Sequence, residues 1–348
     1  MNILFDINHP AHIHLFKHAI NKLKESGHNV VITSRDKDIT VDLLDRYGFK
    51  HFVLSKAQKG LLGLGLELIW RQLRLLPILI KNKINICVSV TGACNVHICK
   101  LLGIPTLVFY DTEHASLQNK LTLPFVTKFI TPDSFKGRYG KNHITYNGTH
   151  DIAYLHSKYF TPNPNIFDLL KISSNDKFFI LRFVSWQAAH DIGQKGSSIE
   201  LKRKLIDLCS KHGKVFITSE AKIDAEFEEY SIAIPPEKMH DALYFATMYI
   251  GEGGSMATEA AILGTPSILV NSLSAGVFDE LENRYRMLLT FSPSEEEKII
   301  KTAQNLLNNE NLKPEWLAKK DKFINDKIDL TEYMLETILS YDKSSNIT

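Results

Sequence analysis

The chain lacks most of the features that mark a metalloprotein, a secreted protein or a nucleic-acid-binding protein. It has four cysteines in 348 residues and no Cys-x-x-Cys pair, so neither a cysteine metal site nor a disulfide framework is expected. Its formal net charge is only +2, which argues against bulk binding of nucleic acid. Met1 leads directly into an apolar strand pattern, without the basic region and cleavage site of a signal peptide. These absences favour a cytoplasmic protein with buried, reduced thiols.

A long uncharged hydrophobic run is also missing. The most apolar segment, residues 61–80, reads LLGLGLELIWRQLRLLPILI, and Glu67, Arg71 and Arg74 interrupt it. A membrane-spanning helix needs about 20 mostly uncharged residues, so spanning is not expected. Two interpretations remain. The charge pattern favours a helix buried between the sheet and its neighbours. Alternatively, the segment is an amphipathic surface that contacts the inner face of the membrane, with Trp70 at the interface.

Short apolar strand patterns alternate with helical patterns through most of the chain. The strand patterns lie at residues 2–7, 30–34, 52–54, 86–90, 106–110, 129–131, 145–146, 178–183, 215–218, 233–234, 248–250 and 267–270. Such alternation predicts an α/β protein with parallel sheets covered by helices.

A proline-rich stretch at residues 159–165 is the best linker candidate between two halves. We therefore expect two doubly wound, Rossmann-like domains facing a central cleft, the first at residues 1–160 and the second at residues 166–315. Helices at 316–342 would follow and could pack back on the first domain.

Residues 250–270 form the most specific local pattern. A buried strand runs into the glycines of residues 251–254, a helix begins near Ser255, and Gly-Thr-Pro ends that helix before a second buried strand. The N-terminus of a helix presents unpaired N–H groups and a positive dipole end, which suit a phosphate or diphosphate. Gly253, Gly254 and Ser255 are therefore candidate diphosphate ligands, and Glu259, about one turn into the helix, can reach hydroxyl groups of the same ligand.

This order of strand, glycines, acid, Gly-x-Pro and strand resembles the donor-binding segment of GT-B glycosyltransferases and of the related UDP-N-acetylglucosamine 2-epimerases. The resemblance implies a GT-B-like fold in which residues 1–160 are the acceptor-side domain and residues 166–315 the nucleotide-sugar-binding domain. It also assigns the nucleotide ribose to Glu259. More narrowly, the opening FDINHPAH and the later DTEH at residues 111–114 resemble the GT-B-like DUF354 family. The resemblance also implies that no metal or other cofactor is needed, because GT-B enzymes balance the diphosphate with a helix dipole and cations.

Two polar loops follow strand patterns in the first half. Loops at the carboxyl ends of parallel strands line the ligand crevice of such folds. Asp6 and His12 belong to the first loop, where both are candidate catalytic residues that could act as a general base. A structural role is the alternative for His12. Glu113 and His114 belong to the second, where they could fix sugar hydroxyls or share a proton, or else only begin a helix. His12 and His14 as a metal pair would need further ligands that the sequence does not offer.

Three further candidates lie in the second half. Arg182 interrupts an apolar strand and needs a partner such as a diphosphate or an acidic neighbour. Lys195 stands between two glycines before a helix, as a phosphate ligand or as a solvated loop lysine. Met239 precedes the glycine unit, where the resemblance implies contact with the nucleobase and a helix cap is the alternative.

Three functions are consistent with these residues. The first is a glycosyltransferase with a nucleotide-diphosphate sugar, a UDP-sugar by resemblance, as co-substrate and a sugar or lipid-linked acceptor, in surface polysaccharide or glycoconjugate biosynthesis. The second is a sugar-nucleotide epimerase in which Asp111, Glu113 and His114 handle elimination and re-addition. However, the Arg-Pro-Glu segment typical of that group is replaced by Asn-His-Pro-Ala. The third is a binding or scaffold protein without turnover. Nucleic acid is not an expected partner.

Overall fold

The computed structural model describes residues 1–113, 116–184, 196–219 and 223–342. It divides the chain into two compact units. The first unit contains Met1–Tyr159 and the described residues from Ile328 on, and the second contains Phe160–Lys327. The boundary thus lies at the proline-rich stretch, and the chain returns to the first unit at its end.

The first unit is built on a seven-stranded parallel sheet. Its strands are β1 (Asn2–Ile7), β2 (Asn29–Asp36), β3 (Phe52–Lys56), β4 (Ile86–Ser89), β5 (Thr106–Phe109), β6 (Lys128–Pro132) and β7 (His143–Tyr146). Their order in the sheet is β3-β2-β1-β4-β5-β6-β7, and each pair is parallel. The winding reverses between β1 and β4, which makes the carboxyl ends of these two strands the switch point where ligands bind in such sheets.

Helices connect these strands. They are α1 (Pro10–Glu25), α2 (Thr40–Arg46), α3 (Gly60–Lys81), α4 (Val96–Leu101), α5 (Ser116–Thr122) and α6 (Ile152–Leu155). The chain's last described helix, α14 (Leu330–Leu339), packs against α1 and α6. Helix α1 begins where it does because Pro10 occupies its first turn and the His9 ring accepts a hydrogen bond from the Ala11 N–H.

The second unit is built on a five-stranded parallel sheet. Its strands are β8 (Phe178–Phe183), β9 (Lys214–Ser219), β10 (Met248–Gly251), β11 (Ser267–Val270) and β12 (Leu288–Phe291), in the order β12-β11-β10-β8-β9. The winding reverses between β8 and β10, so the switch point lies at their carboxyl ends.

Helices again separate the strands. They are α7 (Ile166–Leu170), α8 (Ile199–Ser210), α9 (Met239–Phe245), α10 (Gly254–Ile262), α11 (Gly276–Asp279), α12 (Glu296–Leu307) and α13 (Leu312–Asp326). Short 3-10 turns at Ala225–Tyr230 and Pro236–Lys238 and a π-helical turn at Glu280–Arg284 complete the unit. A core of apolar side chains from β8, β10, α8 and α12 fills one side of the sheet.

The predicted α/β fold with two parallel sheets is confirmed, but one predicted strand is wrong. Residues 233–234 form no strand, because this stretch leads into the turn at Pro235 and only Ser231 makes an isolated bridge to Ile217. Proline lacks the N–H that a strand in a ladder requires. Segment 61–80 is one amphipathic helix, α3, whose Leu75 and Leu79 are buried while other apolar residues are exposed. Within the described residues, no helix is long and apolar enough to cross a membrane.

Candidate functional site

At the switch point of the first sheet, Asp6 anchors a buried network of side chains. Its carboxylate, fully buried near the end of β1, accepts hydrogen bonds from Thr33 (2.9 Å), Asn8 (3.1 Å) and Asn95 (3.4 Å) and pairs with Arg71 of α3 at 3.2 Å. Arg71 also donates to the Asn8 side chain. A buried charge is tolerated only when paired and hydrogen-bonded in this way. Asp6 therefore holds the loop after β1 in place.

His12 lies in the first turns of α1, buried below this loop. Its Nδ1 accepts a hydrogen bond from the Asn8 N–H at 3.2 Å. Because that nitrogen acts as acceptor, the ring proton of the neutral form is assigned to Nε2. Burial, followed by the nearby His9 ring, lowers the pKa of His12 well below its usual value. His12 is therefore a neutral hydrogen-bond donor through Nε2 at physiological pH.

The exits of β5 and β7 bring together a carboxylate and an imidazole. Asp111 Oδ2 lies 3.0 Å from Nδ1 of His150, whereas Nε2 of His150 is buried without a hydrogen-bond partner. Desolvation alone would raise the pKa of Asp111, but the charge and hydrogen bond of His150 outweigh it and lower that pKa to about 2. The same two groups also influence the pKa of His12. Asp111 thus fixes the orientation of the His150 ring and leaves its Nε2 without a protein partner.

Other polar side chains of the first unit follow the same strands or lie on α1; we call the Asp111–His150 pair the dyad. The hydroxyls of Thr149 and Tyr146 are buried and have no protein partner. Glu113 accepts a hydrogen bond from the Lys136 N–H at 2.8 Å. His14 packs with its ring 5.3 Å from that of Tyr154. The described residues hold no group of three or more His, Cys, Asp or Glu side chains suited to a metal ion.

In the second unit, the glycine turn after β10 meets Arg182 of β8. The register pairs Gly251 with Arg182. A Cβ added at Gly253 would lie 2.8 Å from Nε of Arg182, and one at Gly254 would lie 2.5 Å from the ring of Phe278. A side chain at either glycine would therefore require the Arg182 or the Phe278 side chain to shift. Arg182 also donates to the Thr218 hydroxyl at 3.2 Å.

The helix after the turn begins at Gly254, one residue earlier than Ser255. Ser255 is exposed in its first turn, and Glu259 follows four residues later, on the same face of α10. Glu259 is buried and pairs with Nε2 of His240 on α9 at 3.1 Å. Met239, the first residue of α9, is half-buried next to His240. This end of the second sheet thus presents a helix N-terminus, a guanidinium and an oriented carboxylate.

Glu252 holds the two ends of the loop that follows β8. It is buried, and its carboxylate accepts hydrogen bonds from the N–H groups of Val184 at 2.8 Å and Ser197 at 2.5 Å. Asn271 donates to the Glu252 carbonyl at 2.9 Å. Glu252 therefore connects β8, β10 and β11 at their carboxyl ends.

Two predicted site residues, His114 and Lys195, lie outside the described residues. The sequence reasoning missed Arg71 and Glu252 as parts of the site, and His150 entirely. His150 could have been found from the Asn-Gly-Thr-His-Asp run that follows β7, because this run is a polar loop at a strand exit.

The chain is similar over most of its length to other proteins. A family model described as "Protein of unknown function (DUF354)" matches residues 1–343. An uncharacterized protein of Methanocaldococcus jannaschii is 25% identical over 278 residues, which cover 77% of this chain and 81% of that protein.

Two solved structures illustrate the likeness in fold. The UDP-GlcNAc 2-epimerase of Neisseria meningitidis bound to UDP-GlcNAc has a TM-score of 0.73 at 13% identity, over 98% of this chain and 100% of that one. The spinosyn forosaminyltransferase SpnP has a TM-score of 0.64 at 12% identity, over 98% and 99%. These TM-scores over nearly the whole chains show a shared GT-B architecture, and the family model matches residues 1–343. The chain therefore belongs to the DUF354 family and has the fold of GT-B glycosyltransferases and UDP-GlcNAc 2-epimerases.

Proposed function

We propose that this protein is a glycosyltransferase that transfers a sugar from a UDP-sugar to an acceptor hydroxyl. The observation that carries the proposal is the start of α10 at the switch point of the second sheet. There Arg182 packs against Gly253, and Ser255 and Glu259 share one face of the helix. Free N–H groups and a guanidinium suit a diphosphate, and a buried carboxylate suits the two hydroxyls of a ribose.

The neighbouring side chains support the same assignment. His240 pairs with Glu259 at 3.1 Å and keeps its carboxylate in one orientation. Gly253 and Gly254 let the diphosphate approach the backbone, Met239 contacts the nucleobase, and Lys195 is a further cation for the phosphates. No metal or cofactor is part of the proposal, because the helix dipole and the cations carry that charge.

The dyad of the first unit supplies the base. His150 Nε2 takes the proton of the acceptor hydroxyl while the acceptor oxygen forms its bond to the anomeric carbon of the sugar. The bond between that carbon and the diphosphate breaks, and UDP leaves with the electron pair. Asp111 stabilises the imidazolium that forms. A direct displacement of this kind inverts the anomeric centre.

The other first-unit residues act through hydrogen bonds. Because Nδ1 of His12 already accepts from Asn8, we assign proton abstraction to His150 and assign to His12 the donation of its Nε2–H to the acceptor or sugar. Glu113 and His114 bind sugar hydroxyls. Asp6 is a positioning residue that acts through Asn8 and Arg71.

The first experiment is a thermal-shift screen with UDP, GDP, CDP and TDP, each alone and as sugar conjugates. A ligand at about 100 times its Kd stabilises the native state by about 2.7 kcal/mol, which gives a measurable rise in Tm. We expect a rise with UDP and UDP-sugars that is reduced in Arg182→Ala. The absence of any shift would contradict a nucleotide-sugar site in this protein.

A second candidate is an epimerase, which is favoured by the carboxylates of Asp111 and Glu113 leaving β5 beside His150. Proton NMR of the UDP-sugar separates the two activities. UDP release that requires an acceptor supports the transferase, and interconversion of UDP-sugars without acceptor supports the epimerase. Binding without either reaction would leave a non-catalytic nucleotide-sugar-binding or scaffold protein.

The proposed setting is surface polysaccharide or glycoconjugate biosynthesis on the cytoplasmic side, where UDP-sugars are available. The acceptor is then a sugar or a lipid-linked sugar. A screen of both acceptor classes with the UDP-sugar that gives the largest thermal shift distinguishes them.

A further inference from the structure

Helix α3 exposes a continuous row of large apolar side chains. Leu62, Leu66, Ile69, Trp70, Leu73 and Ile80 are each between 57% and 86% exposed; we call this set the apolar stripe. Their spacing places them on one helix face about 100° wide. The opposite face carries Leu75, Leu79, Glu67 and Arg71, all buried against the sheet. Exposed apolar patches of this kind mark surfaces that bind a partner.

The apolar stripe continues onto the neighbouring helices. Gln72 of α3 donates to His97 of α4 at 3.2 Å, and the His97 ring lies 4.5 Å from that of Phe125, just after α5. The ends of these two helices expose Leu101, Leu102, Leu121 and Phe125. These contacts link α3 to α4 and α4 to the segment after α5, and both neighbours carry exposed apolar side chains.

The exposed charge on this stretch of the chain has one sign. Between Lys56 and Tyr110 the only acidic residue is Glu67, which is buried and bound to Arg35 through both carboxylate oxygens at 2.7 Å and 2.6 Å. The exposed charged residues of this stretch and of α5 are all basic: Lys56, Lys59, Arg74, Lys81, Lys83, Lys100 and Lys120. The chain as a whole is nearly neutral, so the basic charge is concentrated here.

We propose that the apolar stripe is an interfacial docking surface for an anionic lipid bilayer. The apolar residues insert at the level of the headgroups, Trp70 lies at the interface, and the surrounding lysines contact anionic lipids. The helix lies on the membrane and does not cross it, since Glu67 and Arg71 tie its other face to the sheet.

A bilayer fits this surface better than a second copy of the chain does. A symmetric dimer would bring the same basic residues face to face, and their repulsion would oppose association. An anionic membrane offers an apolar interior to the apolar stripe and negatively charged headgroups to the lysines. The docking stands independently of the proposed transferase activity, and it would bring a lipid-linked acceptor to the protein.

Flotation of the full chain with lipid vesicles tests the proposal. We expect the protein to bind vesicles of phosphatidylcholine that contain about 30% phosphatidylglycerol, because this anionic lipid gives the vesicle a negative surface potential. Binding to vesicles of phosphatidylcholine alone should be weak. The variant Leu66→Gln/Trp70→Gln/Leu73→Gln should lose at least about tenfold in affinity for anionic vesicles. The variant Lys81→Gln/Lys83→Gln/Lys100→Gln should lose roughly fivefold per lysine and most of its preference for anionic lipid.

A matched control carries polar changes at exposed apolar residues of the other unit, Leu169→Gln/Ile199→Gln, and should float like the wild type. An unchanged Tm shows that each variant is folded. Wild-type protein that does not float with anionic vesicles, or a Leu66/Trp70/Leu73 variant that floats equally well, overturns the proposal. A lipid-free dimer that this variant converts to a monomer also overturns it, because the stripe would then join two copies.

Discussion

His150 directs one ring nitrogen at a carboxylate oxygen of Asp111, 3.0 Å away, and buries the other nitrogen without a protein partner. The two residues follow different strands, β5 and β7, and meet only because those strands end at the same edge of one parallel sheet. This geometry is that of an oriented general base.

Removing the dyad should reduce turnover without weakening donor binding. We expect His150→Ala and Asp111→Asn to lower kcat by about 10²- to 10⁴-fold, because general-base catalysis contributes that much. UDP release with acceptor measures kcat, and calorimetric titration of UDP measures Kd. His156→Ala, at a histidine whose Nδ1 accepts a hydrogen bond from the Lys158 N–H, is the control and should leave both unchanged. A normal kcat in His150→Ala would exclude His150 as the base.

Truncating the carboxylate paired with His240 should weaken nucleotide binding. We expect Glu259→Ala to cost about 1–3 kcal/mol of UDP affinity, the usual loss for a hydrogen bond to a charged group. Titration calorimetry with UDP gives the value. Glu296→Ala removes a carboxylate that accepts a hydrogen bond from the exposed Ser198 hydroxyl and serves as control. Equal affinity in Glu259→Ala and wild type would remove the ribose assignment.

Neutralising Glu252 should loosen the carboxyl ends of β8 and β10. Glu252→Ala leaves the N–H groups of Val184 and Ser197 without their acceptor, so we expect a loss of about 1–3 kcal/mol in the free energy of unfolding. Hydrogen exchange at these two amides should accelerate. The control Glu226→Ala breaks an exposed pair with Arg203 and should cost less than about 1 kcal/mol. Unchanged exchange at Val184 and Ser197 would contradict this role of Glu252.

Breaking the buried ion pair of the first unit should be more costly than breaking a surface pair. Arg71→Ala leaves the Asp6 carboxylate buried with an uncompensated charge, and we expect a loss of about 3–5 kcal/mol in the free energy of unfolding. Denaturant titration measures it. Arg46→Ala, which breaks the exposed pair with Asp42, should cost less than about 1 kcal/mol. Similar losses in the two variants would mean that Asp6 does not depend on Arg71.

The buried His12 should make the protein less stable in mild acid. Burial lowers its pKa in the folded state, whereas the unfolded chain takes up a proton near pH 6.5. Below that pH the unfolded state binds more protons at this site, so stability falls as the pH decreases toward the lowered folded pKa. We expect the Tm of wild type to fall more steeply than that of His12→Gln between about pH 7.5 and 5.5. Parallel curves in thermal-shift scans would contradict this.

Much of the fold could be predicted from local patterns. Strand β10 is an apolar run because both of its faces are buried, and β8 is one apart from Arg182. The glycines after β10 mark the turn that follows. The strand predicted at residues 233–234 failed because two apolar residues carry too little pattern beside Pro235 and Pro236. The charged residues of segment 61–80 were evident from the sequence, but the sequence did not predict which face of the helix packs against the sheet.

In the candidate site, too, some relations between residues could be predicted from the sequence and others could not. Glu259 and Gly253 belong to one continuous segment, so their relation to the start of α10 follows from helix geometry alone. The contact of His150 with Asp111 and that of Arg71 with Asp6 could not be predicted in this way. In each pair the two residues are far apart in the sequence, and the order of the strands in the sheet brings them together.

The amino-acid sequence by itself determined the alternating α/β elements, the glycine unit and its acid, because periodicity, turn residues and helix caps act over a few residues. Only the tertiary structure decided which polar side chains meet at the two switch points, which nitrogen of His12 and of His150 is engaged, and which face of α3 stays exposed. Those outcomes depend on strand order and packing, which bring distant residues into contact and which no local pattern specifies.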